Sequence, residues 1–383
     1  MAGHPHGISR ATASSQRASG ASFMRSVDFA QAPFLVIWET TQSCALACRH
    51  CRASAQPGRD PRELTTEEGC RVIDQVADLG TPIMILSGGD PVNRPDLLEL
   101  IRHGKSRGLR MATIPAATDC LTRELVQSLK AAGCDQMAVS LDFPRADLHD
   151  GFRGVPGAFD KTMQAVAWAH EAGLPLQVNT TVCGDTAPYL EEMAAFVQKL
   201  GIVFWEVFFL VPMGRGSVLR GLDAAECERL FELLYRVQRT EGFIVKVTEA
   251  PHYRRHVAQR EMKDDGHPSA RPPGLAAMPA RLTQSEGPGH TVGLAPRGVN
   301  SGNGFLFVSH LGEIMPSGFL PLPVGNVREM RIQDAYRDSP LFQNLRSPGT
   351  FKGRCGRCEF RDICGGSRSR AYGLTGDPFE TDP

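Results

Sequence analysis

Net charge is the first thing this sequence lacks: Lys plus Arg and Asp plus Glu stand at 42 each over 383 residues. A balanced surface sends out no long-range field, so neither nucleic acid nor an anionic membrane is expected as a partner. Long apolar runs are missing too. The run at 202–213 is far shorter than a bilayer span and is broken by Glu206. No secretory signal with an apolar core opens the chain, and no internal repeat is evident beyond an alternation of strands and helices. Acidic residues are absent from 1–27, where Ser, Ala, Arg and His show no apolar period. Such a stretch buries too little surface to order itself, and a disordered tail over 1–32 is expected. Its composition also suits an organellar transit peptide, or a true start at Met24. These absences leave a cytoplasmic globular protein of ordinary makeup, 42% hydrophobic and 22% charged. Its length allows one barrel with an appendage, or two domains.

Eleven cysteines stand out against that background. Six of them fall into two tight groups, 44/48/51 and 355/358/364. Clustered thiols in a reducing compartment are more often metal ligands than disulfides. The scattered Cys70, Cys120, Cys134, Cys183 and Cys227 read as small buried apolar residues.

Six short runs at 34–38, 83–86, 110–114, 137–141, 176–182 and 204–210 are nearly continuous in apolar or β-branched residues. Strands buried on both faces have that pattern. Amphipathic stretches at 66–79, 121–132, 158–172 and 189–200 alternate with them, followed by Gly80, Gly133, Gly173 and Gly201 where left-handed caps belong. Thr65 or Thr66 with Glu67 and Glu68 marks a helix start. Repeated strand–helix units imply parallel strands with right-handed crossovers, in a partial barrel or a doubly wound sheet. A Pro- and Gly-rich connecting loop is expected over 256–303, then a hairpin from Gly304 opening a small C-terminal domain over 304–383.

The strongest chemical signal is Cys44-Ala-Leu-Ala-Cys48-Arg-His50-Cys51, directly after the first strand. Three thiolates can hold three irons of a cubane cluster and leave one iron open to a further ligand. A zinc site short of one ligand is the bland alternative, although zinc sites usually show paired C-x2-C or Cys/His spacing. This segment resembles the signature of the radical S-adenosylmethionine (SAM) superfamily. The resemblance implies a [4Fe–4S] cluster on Cys44, Cys48 and Cys51, with SAM chelating the open iron and being cleaved reductively to a 5′-deoxyadenosyl radical. It also implies an α/β fold, a partial (β/α)6 TIM-like barrel over 33–255 with a small C-terminal iron–sulfur auxiliary domain. Site residues follow by position: Gly88, Gly89 and Asp90 resemble the family's Gly-Gly-Glu-Pro turn for the SAM amino group, with Asp90 in place of the commoner Glu. Ser140 and Arg153 match positions that contact the SAM carboxylate, a geometry that suits a guanidinium fork. Asn179 and Thr181 fall in the ribose region, Val211 and Pro212 near the adenine, and His50 within the signature itself. The corresponding bland readings are a plain turn, an exposed helix-start arginine and satisfied core polar residues.

Cys355-Gly-Arg-Cys358-Glu-Phe-Arg-Asp-Ile-Cys364-Gly365-Gly366 resembles the auxiliary-cluster segment of the SPASM and twitch subfamilies, against a structural zinc knuckle as alternative. That pattern usually adds a further Cys after a segment like Thr375-Gly376-Asp377, whereas this sequence runs only to Pro383. Ser317 stands near where many peptide maturases carry another cysteine, so one auxiliary cluster is expected. With Cys364-Gly-Gly-Ser-Arg-Ser-Arg-Ala-Tyr372, this resembles the tetrapyrrole-modifying branch, which includes the SAM-dependent haem synthase acting on iron-coproporphyrin. A tetrapyrrole is then the expected substrate, and flavodoxin or ferredoxin the expected electron donor. The alternatives are maturation of a short ribosomally made peptide and a non-catalytic iron–sulfur scaffold or redox sensor. Glu249-Ala-Pro-His252-Tyr253-Arg254-Arg255 offers two arginines for propionates at the substrate opening, or a merely solvated surface. His290 and His310 carry no assignment.

Overall fold

A computed structural model describes residues 27–240, 242–265 and 298–383. The expected strands are present as β1 (Leu35–Glu39), β2 (Ile83–Ser87), β3 (Arg110–Thr113), β4 (Gln136–Ser140), β5 (Leu176–Val182) and β6 (Phe204–Phe209). A seventh strand, β7 (Ile244–Thr248), extends the series and was not legible as a buried run, since only its first residues are buried. Strands β1 to β7 pair in parallel, each with the next. Helices return the chain between them. The first, α1 (Thr66–Asp78), opens on a capping box in which Thr65 and Glu68 satisfy each other's backbone, and it buries Val72, Ile73 and Val76 against the sheet. Gly80, Gly133, Gly173 and Gly201 all take positive φ, from 60° to 94°.

The C-terminal hairpin does not stand apart from this sheet. Strand β8 (Phe305–Val308) pairs in parallel with β1, placing Leu35 opposite Phe305, and β9 (Glu313–Met315) and β10 (Gly325–Asn326) follow antiparallel. The result is one ten-stranded sheet ordered β10-β9-β8-β1-β2-β3-β4-β5-β6-β7. The hairpin thus covers the otherwise open edge of β1. Trp38 and Trp205 are fully buried in the core between sheet and helices.

Two expected boundaries move. Of the tail expected over 1–32, residues 27–32 are ordered: Phe29 is buried, and its carbonyl accepts a 2.7 Å bond from the Tyr336 hydroxyl. A single aromatic gives that anchor, which an average over a polar segment hides; residues 1–26 lie outside the described set. The expected connecting loop begins as helix, α2 (His252–Asp265), and 266–297, including His290, lies outside the described residues. Among the scattered thiols, Cys134, Cys183 and Cys227 are buried as expected, Cys70 is half-buried, and Cys120 is exposed in the turn before the next helix. No described helix is long and apolar enough to cross a membrane.

Candidate functional site

The loops leaving the C-terminal ends of β1 to β6 enclose a cavity of about 220 Å³. It gathers residues from across the sequence: Cys44, Cys48, His50 and Cys51 from the loop after β1, Gly88 and Gly89 after β2, and Ser140 ending β4. Arg153, Asn179, Thr181 and Val211 complete that set.

The cysteine loop is held from several sides. Gly89 N–H donates to Thr41 O and Asp90 N–H to Ser43 O, both at 2.7 Å. A Cβ on Gly88 would stand 2.6 Å from Thr41 O and one on Gly89 2.5 Å from Ser43 O, so the glycines are needed for backbone–backbone contact with the cysteine loop. Asp90 departs from the expected arrangement. Its carboxylate does not line the cavity; it accepts from Val92 N–H at 3.3 Å, Ala116 N–H at 3.1 Å and the Thr118 hydroxyl at 3.0 Å. Burial pushes it up to about 6, against those bonds. A side chain one methylene shorter than Glu spends its oxygens on the neighbouring loops.

Arg153, at the end of the helix Ala146–Arg153, is buried and makes a 2.6 Å ion pair with fully buried Asp142. Its Nη1 lies 3.6 Å from Cys48 Sγ, and its Nε has no partner. Burial, the largest influence, works against the Asp142 charge, but Arg153 together with the neighbouring groups and the Thr181 N–H outweighs it, and the carboxyl stays below its usual range. The His50 ring stacks on Phe152 at 4.6 Å, and burial pushes its pKa down to about 4, so it is neutral with an unpartnered Nδ1. Asn179 Oδ1 accepts from Gln177 Nε2 at 2.7 Å, which also donates to Glu206 at 2.7 Å; Glu206 in turn meets Lys246 at 2.8 Å.

Arg215 went unnoticed in the sequence. Its Nε donates to Cys48 O at 2.9 Å, its N–H to Cys51 O at 3.0 Å, and it lines the cavity. Gly214 beside it has φ +53, with Cys51 O 2.5 Å from where a Cβ would be. Glycines flanking an arginine after a strand were the available signal. Arg52 is also missed: it bonds Glu39 at 2.8 Å and lies over the Phe307 and Phe319 rings at 4.7 and 5.7 Å. His310 joins this group through a 3.0 Å contact to Glu39. Arg254 and Arg255 lie away from the cavity, and Arg255 pairs with Glu228.

Both thiol trios suit iron–sulfur chemistry. Leu46 N–H points at Cys44 Sγ and Ala55 N–H at Cys51 Sγ, each at 3.4 Å. Burial pushes the Cys44 thiol up to about 12, so it ionises only when a metal takes its proton's place. At the second trio, Asp382, Phe360 and Gly366 N–H groups point at Cys355, Cys358 and Cys364, again at 3.4 Å. N–H donors around sulfur favour thiolate and tune a cluster. Among the described residues no three His, Cys, Asp or Glu side chains converge tightly enough for a single ion. A cubane takes each thiolate on a different iron and does not need three side chains to meet at one ion, and thiolates are its usual ligands. The Ser317 hydroxyl is buried and accepts from Phe319 N–H at 3.1 Å.

A parallel partial barrel whose first loop brings a cysteine trio into the mouth is the architecture of a SAM-cleaving iron–sulfur enzyme. Residues 38–197 match the Radical SAM superfamily. The chain is 39% identical over 352 residues to an AdoMet-dependent heme synthase of Methanosarcina barkeri, covering 92% of this chain and 96% of that one. An AdoMet-dependent heme synthase of Oleidesulfovibrio alaskensis is 39% identical over 351 residues, 91% and 86% of the two chains. The SAM-bound structure of Streptococcus suis SuiB superimposes with a TM-score of 0.67 at 17% identity, over 92% of this chain and 77% of that one. The chain belongs to the radical SAM superfamily, whose enzymes use a [4Fe–4S] cluster and SAM.

Proposed function

We propose that this enzyme modifies the propionate side chains of an iron tetrapyrrole by decarboxylation, in the cytoplasm, with electrons exchanged through a flavodoxin- or ferredoxin-like carrier. The observation that carries the reading is the 39% identity to the Methanosarcina barkeri heme synthase, which spans nearly the full length of both chains. When bound, the cluster and SAM together supply a 5′-deoxyadenosyl radical that removes a substrate hydrogen. Cys44, Cys48 and Cys51 hold the cluster. The Gly88–Gly89 turn takes the SAM amino group, and Ser140 and Arg153 take its carboxylate. The unpartnered Arg153 Nε supports that role, being a buried donor without an acceptor. Asn179 faces the ribose, while Val211 and the neutral His50 border the adenine. Asp90 acts through the turn it braces. Cys355, Cys358 and Cys364 hold a second cluster.

Anaerobic reconstitution tests this directly. About 8 irons per chain are expected if both trios hold cubanes, with 5′-deoxyadenosine release that depends on added iron-coproporphyrin. Replacing Cys44, Cys48 and Cys51 by Ala abolishes SAM cleavage and leaves the C-terminal iron. Deoxyadenosine release stimulated by a short peptide and not by any porphyrin would sink the tetrapyrrole assignment.

A further inference from the structure

Close to the second thiol trio lies a buried cation with no ion pair of its own among the described residues. Arg368 is fully buried, with 0% of its surface exposed; no carboxylate among the described residues is within ion-pair distance of it, and Asp377, the acid that feels its charge, is paired with Lys352. Its Nη1 donates to Pro378 O and Glu380 O, both at 2.9 Å, and its plane lies 4.5 Å from the Phe351 ring centre. Nη2 has no acceptor at all. That nitrogen points at Gly366: a Cβ there would stand 2.3 Å from Arg368 Nη2 and 2.9 Å from Cys355 Sγ. The guanidinium and the thiol therefore face each other across a bare Cα. Arg370 nearby is different, because Asp382 holds it with two 2.7 Å bonds.

A second cation without a paired acid meets the loop that carries Cys364. On α2, Arg255 pairs with Glu228, and His256 and Arg260 meet Glu232 at 3.3 and 3.4 Å. Arg254 has no such acid among the described residues. It donates to Val299 O at 2.5 Å and to Ile363 O at 3.3 Å, the carbonyl just before Cys364. Asn300 ties down the same loop through Gly366 O at 3.0 Å. An unpaired buried cation such as Arg368 is costly, and proteins keep one where an anion completes it; half-buried Arg254 adds a second positive charge beside the same loop.

We propose that Arg368, with Arg254 beside the Cys364 loop, is the counter-charge of an anionic iron–sulfur cluster on Cys355, Cys358 and Cys364, and that the pair sets its reduction potential. This rests on the second cluster of the proposed function. A thiolate-ligated cubane is negative and gains one more negative charge on reduction, so a nearby cation stabilises the reduced form and raises the potential. The free Nη2–H adds a hydrogen bond to cluster or thiolate sulfur, acting in the same direction. Arg368 and Arg254 are positioning and tuning residues and touch no substrate.

The test is a potentiometric titration of the anaerobic holoenzyme followed by electron paramagnetic resonance, taking as the second cluster the signal that does not respond to SAM. Arg368→Gln and Arg254→Gln keep hydrogen-bonding groups but remove the charge; Arg368→Lys and Arg254→Lys keep it. The Gln variants are expected to shift the potential downward, so that the ratio of reduced to oxidised cluster at fixed poise falls about tenfold, or ~59 mV for one electron. The Lys variants stay near wild type. Arg254 lies half-buried on a helix, so its variants serve if Arg368→Gln does not fold. Potentials unmoved in the Gln variants at full iron content overturn the proposal. Wild-type iron that does not fall when Cys355 and Cys358 become Ser overturns the second cluster itself, a failure visible before any potential is measured.

Discussion

Replacing Arg153 by Met should destabilise the protein by about 3–5 kcal/mol at pH 8, because it strands a buried carboxylate. Asp142 is fully buried and its oxygens face Arg153 at 2.6 Å and Thr181 N–H at 2.8 Å. Without the guanidinium only the amide bond remains. Burial then dominates, and the Asp142 pKa, held low in the native protein, rises above its unfolded value. The sign follows. In the native protein the pair contributes stability that is present above the unfolded carboxylate pKa and is lost as pH falls through the lowered one. In Arg153→Met the folded carboxyl is easier to protonate than the unfolded one, so the variant recovers as pH falls. The gap between wild type and variant should therefore be widest at pH 8 and narrow by pH 5. Adding Asp142→Asn should restore much of the loss, since removing both charges costs far less than removing one. Urea unfolding followed by the fluorescence of buried Trp38 and Trp205 reads this out in anaerobic, metal-free protein at the two pH values. A loss below ~1 kcal/mol, the worth of an exposed pair, would refute the reasoning. A loss that does not change with pH, or strict additivity in the double variant, would do so too.

Other outcomes follow from the same geometry. Gly89→Ala places a Cβ 2.5 Å from Ser43 O and 2.6 Å from Gln42 O, so it should cost about 1–3 kcal/mol. Iron retained at the first trio should drop with it, measured by iron content after reconstitution. Arg215→Met removes donors to Cys48 O and Ala55 O and should weaken cluster retention more than SAM affinity, read as faster iron loss to a chelator. Asp90 is lifted from 3.8 to about 6, worth about 3 kcal/mol at ~1.4 kcal/mol per unit. Its raised pKa costs stability progressively as pH climbs from the unfolded value through that range, so Asp90→Asn should gain on wild type between pH 4 and 7 in urea midpoints. Exposed Cys120 should be alkylated first in the native chain, with buried Cys134 and Cys183 resisting until it unfolds, as mass spectrometry of trapped peptides would record.

The parts of the molecule that could be read from the sequence are those written locally. Strands β1 to β6 announce themselves because both faces are largely covered and most positions are apolar or β-branched. Strand β7 does not, since Lys246, Val247 and Thr248 are only half-buried. Hairpin β8–β9 was recognisable as a hairpin, but not its pairing with β1, because the Leu35–Phe305 register joins residues 270 apart. The cavity brings together Cys44, Gly88, Ser140, Arg153, Asn179 and Val211 because in a parallel barrel all the strand ends point the same way, so position along the strand–helix series is enough to place them. Residue type could not tell how each side chain is spent. Asp90 falls at a SAM-turn position and spends its oxygens on Val92, Ala116 and Thr118, while Arg254, in a run that reads as a solvated surface or a propionate clamp, meets the loop beside Cys364.

The sulfur contacts show where that limit falls. Cys44, Cys358 and Cys364 each receive the N–H of the residue two places on, from Leu46, Phe360 and Gly366. Such a contact closes a small turn, so it comes with the cysteine and its immediate followers and can be inherited by any chain with that spacing. Cys51 receives the Ala55 N–H four residues on, whereas Cys355 depends on Asp382, 27 residues away, and Cys48 on an arginine 105 residues away. Local turns can set up thiols of either trio before the barrel closes, but Arg153 and Arg368 reach their places beside the thiols only with the finished fold. A cluster inserted into a partly folded chain would lack those cations, and the bare trio would hold its iron weakly. Iron loading at the first trio should consequently track the tertiary contacts of Arg153 more closely than the presence of its cysteines: a variant that keeps every thiol but loses that guanidinium should bind less iron per chain than its secondary structure, followed by circular dichroism, would suggest.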